Sequence, residues 1–205
     1  MIKTGDVIEN PITGETIEFL QTAEDTGGAL LQLMLTVKPG GFVAAPHIHP
    51  KQEERFVVKS GTIRLQIKGE ERLLEAGHEG VVPPGAPHVW WNGGEDELKA
   101  LVEFRPALRT QDTLSTIFAL ARDGKTNKMG VPNLLQIAVT VRKYGGNMYL
   151  AKPPIFVQKL LFVSIAWIGR LLGYCGNYPY YSELDGSSAR VAEAGMTSAT
   201  IEGRG

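Results

Sequence analysis

The sequence predicts an all-β barrel or sandwich followed by an α-helical extension, and two observations carry that prediction. As far as about Pro106 the chain is a series of short runs rich in Val, Ile, Leu and Thr, broken by Gly and Pro, the pattern of a protein built from short strands. Beyond Pro106 the apolar residues instead recur at three- and four-residue intervals, the helical period. A chain of 205 residues has room for one full domain and a helical appendage, and two equal domains would be a squeeze.

Taken in order, strands are expected at 15–22, 29–37, 55–59, 62–68, 81–83, 88–92 and 98–105. The turns between them fall at Pro39-Gly40-Gly41, Ser60-Gly61, Gly69-Glu70 and Gly93-Gly94. The first helix, 110–122, has one apolar face made of Leu114, Ile117, Phe118 and Ala121, with Asp123-Gly124 as its stop. The second, 131–144, is opened by Pro132 and Asn133, carries Leu134, Leu135, Ala138 and Val141 as its stripe, and ends at Gly145-Gly146. The third, 155–174, follows Pro153-Pro154 and is the most apolar segment of the chain. It contains Lys159 and Arg170, so its charge-free stretch is only 160–169, well short of the roughly 20 apolar residues of a bilayer span. A helix covering the barrel or a subunit interface is the preferred reading, and a membrane-surface helix is the alternative. The expected division is therefore 1–108 for the barrel, 109–176 for the helical extension and 177–205 for a flexible tail. The tail ends in Ile201-Glu202-Gly203-Arg204, which matches a processing-protease site used in expression vectors and is set aside as a vector remnant.

Composition narrows the partners. Charged residues make up 21% of the chain and the formal net charge is -1, so nothing draws the protein toward nucleic acid, and a small-molecule ligand is expected. The amino-terminal stretch Met1 to Asp6 has no apolar core of a signal peptide, and the single Cys175 has no internal disulfide partner. Both point to a cytoplasmic protein.

Two stretches carry the chemistry. The first contains Gly41, His47, His49, Glu54 and Gly61, and the second Gly77, Pro83, Gly85, His88 and Asn92. His47 and His49 are two residues apart and so project to one face of a strand. Imidazoles and a carboxylate together suit a borderline divalent ion. Glu53 competes with Glu54 for the carboxylate role, and His88 has to be delivered by the fold. His78, between Gly77 and Glu79, reads as an ordinary solvated turn histidine.

Both stretches resemble the two conserved motifs of the cupin superfamily, with every defining position filled and a short intermotif stretch at 62–76. The resemblance covers roughly residues 30–105 and implies the cupin-type double-stranded β-helix, a jelly-roll barrel. The helical end lies outside it and is similar to that of extended bacterial single-domain cupins. By resemblance, His47, His49, Glu54 and His88 are the ligands of one divalent transition metal (Fe, Mn, Ni, Cu or Zn). The motif's six-residue interval before Gly61 selects Glu54 over Glu53, which is left on the surface beside Arg55. Four protein ligands leave open positions on an ion that accepts five or six, the condition for catalysis as opposed to a closed structural site.

Strand alternation then suggests the cavity wall. Phe56 and Val58 share the face of Glu54, and Trp90 and Asn92 share that of His88. On the strand 29–37, Gln32 and Met34 are taken as the residues reaching the substrate, and Glu103 on the last strand as a possible acid/base group. No basic cluster occupies an inward position, which argues against a phosphorylated sugar. The expected function is a metal-dependent enzyme, similar to flavonol or related ring-cleaving dioxygenases, acting on a small, partly apolar oxygenated molecule. A non-redox cyclase, isomerase or lyase, and a non-catalytic binding or sensor module, are the alternatives. No helix-turn-helix reader precedes the barrel, and a homodimer without a transmembrane segment is the expected assembly.

Overall fold

The structure is a computed structural model that describes residues 2–178. Two antiparallel sheets face one another. The first has six strands: β1 (Val7–Asn10), β2 (Glu15–Gln21), β3 (Leu31–Val37), β10 (Leu98–Arg105), β5 (Glu53–Ser60) and β8 (Glu79–Val82), in the spatial order β1-β2-β3-β10-β5-β8. The second has β11 (Tyr149–Leu150), β4 (His47–Ile48), β9 (His88–Asn92), β6 (Thr62–Ile67) and β7 (Glu70–Glu75), in the order β11-β4-β9-β6-β7. Non-consecutive neighbours such as β3-β10-β5 make this a jelly roll.

The sheets close because the strands alternate. Leu31, Leu33, Leu35 and Val37 of β3 are buried while Gln32, Met34 and Thr36 between them are not. Phe56 and Val58 on β5, Ile63 and Leu65 on β6, and Ala100 and Val102 on β10 join the same core. Each fully buried side chain of this size contributes about 1.5–3 kcal/mol. Gly61, at the tight turn between β5 and β6, has φ +72, and a Cβ there would stand 2.7 Å from the Glu97 carbonyl oxygen and 2.9 Å from Leu98 Cα. Glycine is thus required twice over, by conformation and by space.

Asn92 explains the last position of the second motif. Its Nδ2 donates to the carbonyls of Val37 (3.0 Å), Lys38 (3.1 Å) and Asp96 (2.8 Å), and its Oδ1 accepts from Gly94 N at 2.9 Å. It clamps the end of β3 to the turn after β9.

Strands β1, β4, β7 and β11 were not expected. β7 reads Glu-Glu-Arg-Leu-Leu-Glu and is exposed along most of its length, because it forms a sheet edge where charge discourages further pairing. β4 and β11 are two-residue strands, too short to show a period.

The helices are α1 (Thr110–Arg122), α2 (Leu134–Lys143) and α3 (Ile155–Leu171). α1 has the expected bounds and lays Phe118, Leu114 and Ile117 against the barrel core. α2 starts at Asn133, whose side chain accepts from Gln136 N as an N-cap. α3 touches the barrel at β11, where Gln158 Nε2 donates to the Leu150 carbonyl at 2.8 Å. It packs on α2 through Phe162 and Ala166 against Ala138 and Val139, and leaves Phe156, Leu160 and Trp167 exposed at 73%, 74% and 68%. No helix among the described residues is long and apolar enough to cross a membrane. Asn177 and Tyr178, grouped with the tail from sequence, are tied down by Tyr144 and Asp123; the rest of that tail, with the vector-like end, lies outside the described residues.

Candidate metal centre

His47 and His88 are direct cross-strand partners on β4 and β9, His49 follows β4, and Glu54 comes from β5 in the opposite sheet. One ligand atom from each of these four buried residues lies within 4.8 Å of all the others. The rings pack at centroid separations of 4.2 Å (His47 and His88), 5.0 Å (His47 and His49) and 5.5 Å (His49 and His88). Glu54, not Glu53, joins them: Glu54 is buried, whereas Glu53 is partly exposed. Arg55 pairs with Glu79 and Glu103 and not, as expected, with Glu53. His78 stays in its exposed turn, accepting from Glu75 N.

The backbone sets the imidazole tautomers. Nδ1 of His47 faces the Ala45 carbonyl at 2.9 Å, that of His88 faces Ala86 at 3.1 Å, and that of His49 faces Asn147 at 3.3 Å. A carbonyl only accepts, so each Nδ1 carries hydrogen and each Nε2 turns toward the cluster. Nε2 of His49 is buried with no hydrogen-bond partner, 3.5 Å from Glu54 Oε2. Burial, reinforced by the neighbouring His88, lowers the pKa of His47 and His49 to about 3, so both are neutral at pH 7, the form that binds a metal. Burial also works against charge on His88, but its 2.8 Å bond to Glu54 and the carboxylate charge outweigh it and raise its pKa. An orphaned donor atom, fixed tautomers and a carboxylate at the centre fit a divalent ion.

Beside the cluster is a cavity of about 150 Å³, whose wall includes Leu33, Leu35, Phe56, Trp90, Val102 and Phe104. Among the described residues no Lys or Arg lines it. An apolar space of this size accepts about one aromatic ring. The extension completes it. Phe118 and Ile117 of α1, Val141 of α2 and the 147–150 segment all line it, and β11 pairs with β4 so that Leu150 lies opposite His47.

Phe56 and Trp90 stand where the alternation places them, edge to face at 6.1 Å. Gln32 and Met34 do not reach the cavity. The leucines of β3 fill its inner face, since an apolar wall takes apolar side chains, and Gln32 turns outward to donate to Glu103 at 2.9 Å. Glu103 is likewise on the outer face, paired with Arg55 and Arg105. These partners and Gln32, acting against its burial, hold its carboxyl below the usual range. It is an ion-paired structural group, not an acid/base group of the cavity.

Sequence reasoning missed four polar residues. Glu15, Asn10 and Asn147 line the cavity. Gln52 anchors the ligand-bearing loop, its Nε2 donating to the carbonyls of Pro106 and Ala107 at 2.8 and 2.9 Å. A signal for Glu15 was present, because it is in phase with Ile17 and Phe19 on the buried face of its strand.

Residues 33–104 match the family model described as the cupin domain. This part of the chain is a cupin. The cupin barrel is 31% identical over 111 residues to germin-like protein 3-5 of Oryza sativa subsp. japonica, covering 49% of this chain and 48% of that protein. It is also 36% identical over 81 residues to the mannose-1-phosphate guanylyltransferase ManC of Salmonella typhimurium, covering 40% of this chain and 16% of that protein. The chain spans about half the length of the germin-like relatives it matches. Among solved structures, a predicted oxalate decarboxylase from Thermotoga maritima superposes with a TM-score of 0.45 at 19% identity, covering 52% of this chain and 98% of that one.

Proposed function

We propose that the cupin binds one divalent transition metal through His47, His49, Glu54 and His88 and is a metal-dependent, dioxygenase-like enzyme acting on a small, largely apolar oxygenated molecule. The convergence of four candidate ligand atoms beside an apolar cavity carries this reading. When bound, such an ion supplies a Lewis acid with open positions and, if it is redox-active, dioxygen chemistry. The chain's own residues do the remainder. The carbonyls of Ala45, Ala86 and Asn147 keep the three Nε2 atoms aimed inward, while Phe56, Trp90 and Phe104 seat an apolar body and exclude water.

Glu15 favours a second reading, a non-redox isomerase or lyase. Burial raises its carboxyl pKa to about 7, the range in which a side chain both gives and takes protons at neutral pH. Elemental analysis of the purified protein followed by oxygen uptake with catechols and other single-ring phenols decides between the two. Flavonols serve as oversize controls. Stoichiometric metal with uptake is expected; metal without uptake sinks the dioxygenase reading, and solvent deuterium exchange into the ligand then tests the proton-transfer one. His49→Ala should lose the metal, and full occupancy in that variant would refute the ligand assignment.

The exposed apolar side chains of α3, Phe156, Leu160 and Trp167 among them, support the homodimer as well, since monomers rarely leave so much apolar surface open. Light scattering should give twice the chain mass, and a monomer would remove that reading.

A further inference from the structure

Asn10 and Glu15 face each other directly in the β1–β2 register. Both are buried, at 1% and 6% exposure, and both line the cavity. The oxygen of the Asn10 amide is already engaged: Oδ1 accepts from Ile12 N at 3.1 Å and Thr13 N at 3.3 Å, capping the hairpin turn. That fixes which way the amide points. Its Nδ2 is buried with no partner, a rare state for a donor in a folded protein. Glu15 is held from one side by Thr13 Oγ1, which donates to Oε2 at 2.6 Å. Gly130, in the loop between α1 and α2, keeps the space above them open, because a Cβ there would stand 2.9 Å from Thr13 Cγ2 and 3.9 Å from Asn10 Nδ2.

We infer that Asn10 and Glu15 form a recognition subsite for a hydroxyl or carbonyl oxygen of a neutral, single-ring-sized ligand. This deepens the proposed enzyme reading and rests on it only for turnover. Asn10 Nδ2 donates to the ligand oxygen, and the Glu15 carboxyl completes the contact to a hydroxyl. Neutrality follows from the side chains around the space: among the described residues two carboxyl residues, Glu15 and Glu54, line it and no Lys or Arg does. In the metal-free protein an anionic ring therefore meets like charge without a side-chain counter-ion, which a bound divalent ion would offset. The remaining wall takes the apolar body.

Calorimetric titration of phenol, benzene and benzoate at pH 7, into as-purified and chelator-treated protein, tests the subsite. Phenol should bind about tenfold more tightly than benzene, the effect of one satisfied buried hydrogen bond, and in the chelator-treated protein benzoate should bind most weakly. Asn10→Ser keeps an acceptor that caps the turn but withdraws the amide donor from the cavity, and should bring phenol to the level of benzene while benzene shifts less than about twofold. Asn10→Thr, which also supports such turns, serves if that variant fails to fold. Glu15→Gln should relieve the rejection of benzoate. A wild type with no preference for phenol, or an Asn10 variant that weakens phenol and benzene equally, overturns the subsite. Wild type that prefers phenol but holds no metal would sink the enzyme reading and leave the subsite standing.

Discussion

Glu15→Gln should make the metal-free protein more stable at pH 8 and change it little at pH 5. In the folded protein, burial raises the Glu15 pKa from 4.5 to about 7. The unfolded chain therefore releases the proton first as pH rises, and stability falls between those two values. The interval is about two and a half units, and at ~1.4 kcal/mol per unit the wild type carries a penalty of about 3 kcal/mol above pH 7. At pH 5 the same reasoning leaves under ~1 kcal/mol. Glutamine is neutral throughout and its amide oxygen still accepts from Thr13, so the variant escapes the penalty. Urea melts of both proteins at both pH values, with chelator present, measure the double difference. A stability difference that is the same at pH 5 and pH 8 would show that Glu15 is not the buried, proton-holding carboxyl described here. A gain at pH 8 would mark it as a residue retained at a cost in stability, as functional groups often are.

Three further outcomes follow from the geometry. His47 and His49, with pKa values lowered from 6.5 to about 3, are charged in the unfolded chain before they are charged in the folded one. The metal-free protein should therefore lose stability as pH falls from 6.5 toward 3, by about 2 kcal/mol per histidine at pH 5. His88, with its pKa raised, acts in the opposite sense, its contribution present below 6.5 and lost as pH rises through its folded value; the urea midpoint of a His47→Gln, His49→Gln variant should be flatter across the acid range than that of wild type. Gly61→Ala combines a left-handed backbone with a backbone collision at 2.7 Å and should cost about 3 kcal/mol or more in denaturant melts; a cost under ~1 kcal/mol would contradict the geometry. Asn92→Ala removes a donor from the Val37, Lys38 and Asp96 carbonyls, of which Lys38's still accepts from Gly41 N, and should cost about 2–4 kcal/mol without removing bound metal. Loss of metal in that variant would mean the clamp also shapes the ligands.

The four-residue cluster was legible because the resemblance rests on distinctive side chains at distinctive intervals, and the structure brings those side chains together. His47, His49 and His88 are three of only four histidines in the chain. The inner and outer faces of β3 were legible as two sets, Leu31, Leu33, Leu35 against Gln32, Met34, Thr36, but alternation does not say which set faces in. The cavity's apolar character decides that, and it emerges only when both sheets and α1 are assembled. Glu103 was ambiguous for a similar reason: β10 is flanked by β3 and β5, and its cross-strand neighbours Gln32 and Arg55 become visible only with the register. α1 was read to its ends because its apolar stripe and its Asp123-Gly124 stop are local signals. β11 was not, since two residues pairing with β4 a hundred positions earlier leave no local trace.

The contact between the Asn147 carbonyl and His49 Nδ1, together with the β11–β4 pairing, makes the helical extension and the metal cluster one thermodynamic unit. Whatever holds His49 in place also holds the 147–150 segment, and the coupling is reciprocal by necessity. An ion that tightens His49 should slow opening of the extension, and loosening the extension should weaken the grip on the ion. If the cluster holds an ion as proposed, the placement of the 147–150 segment and the affinity for that ion are linked, so a chain cut after the barrel would keep the four side chains of the cluster and lose the carbonyl that aims one of them.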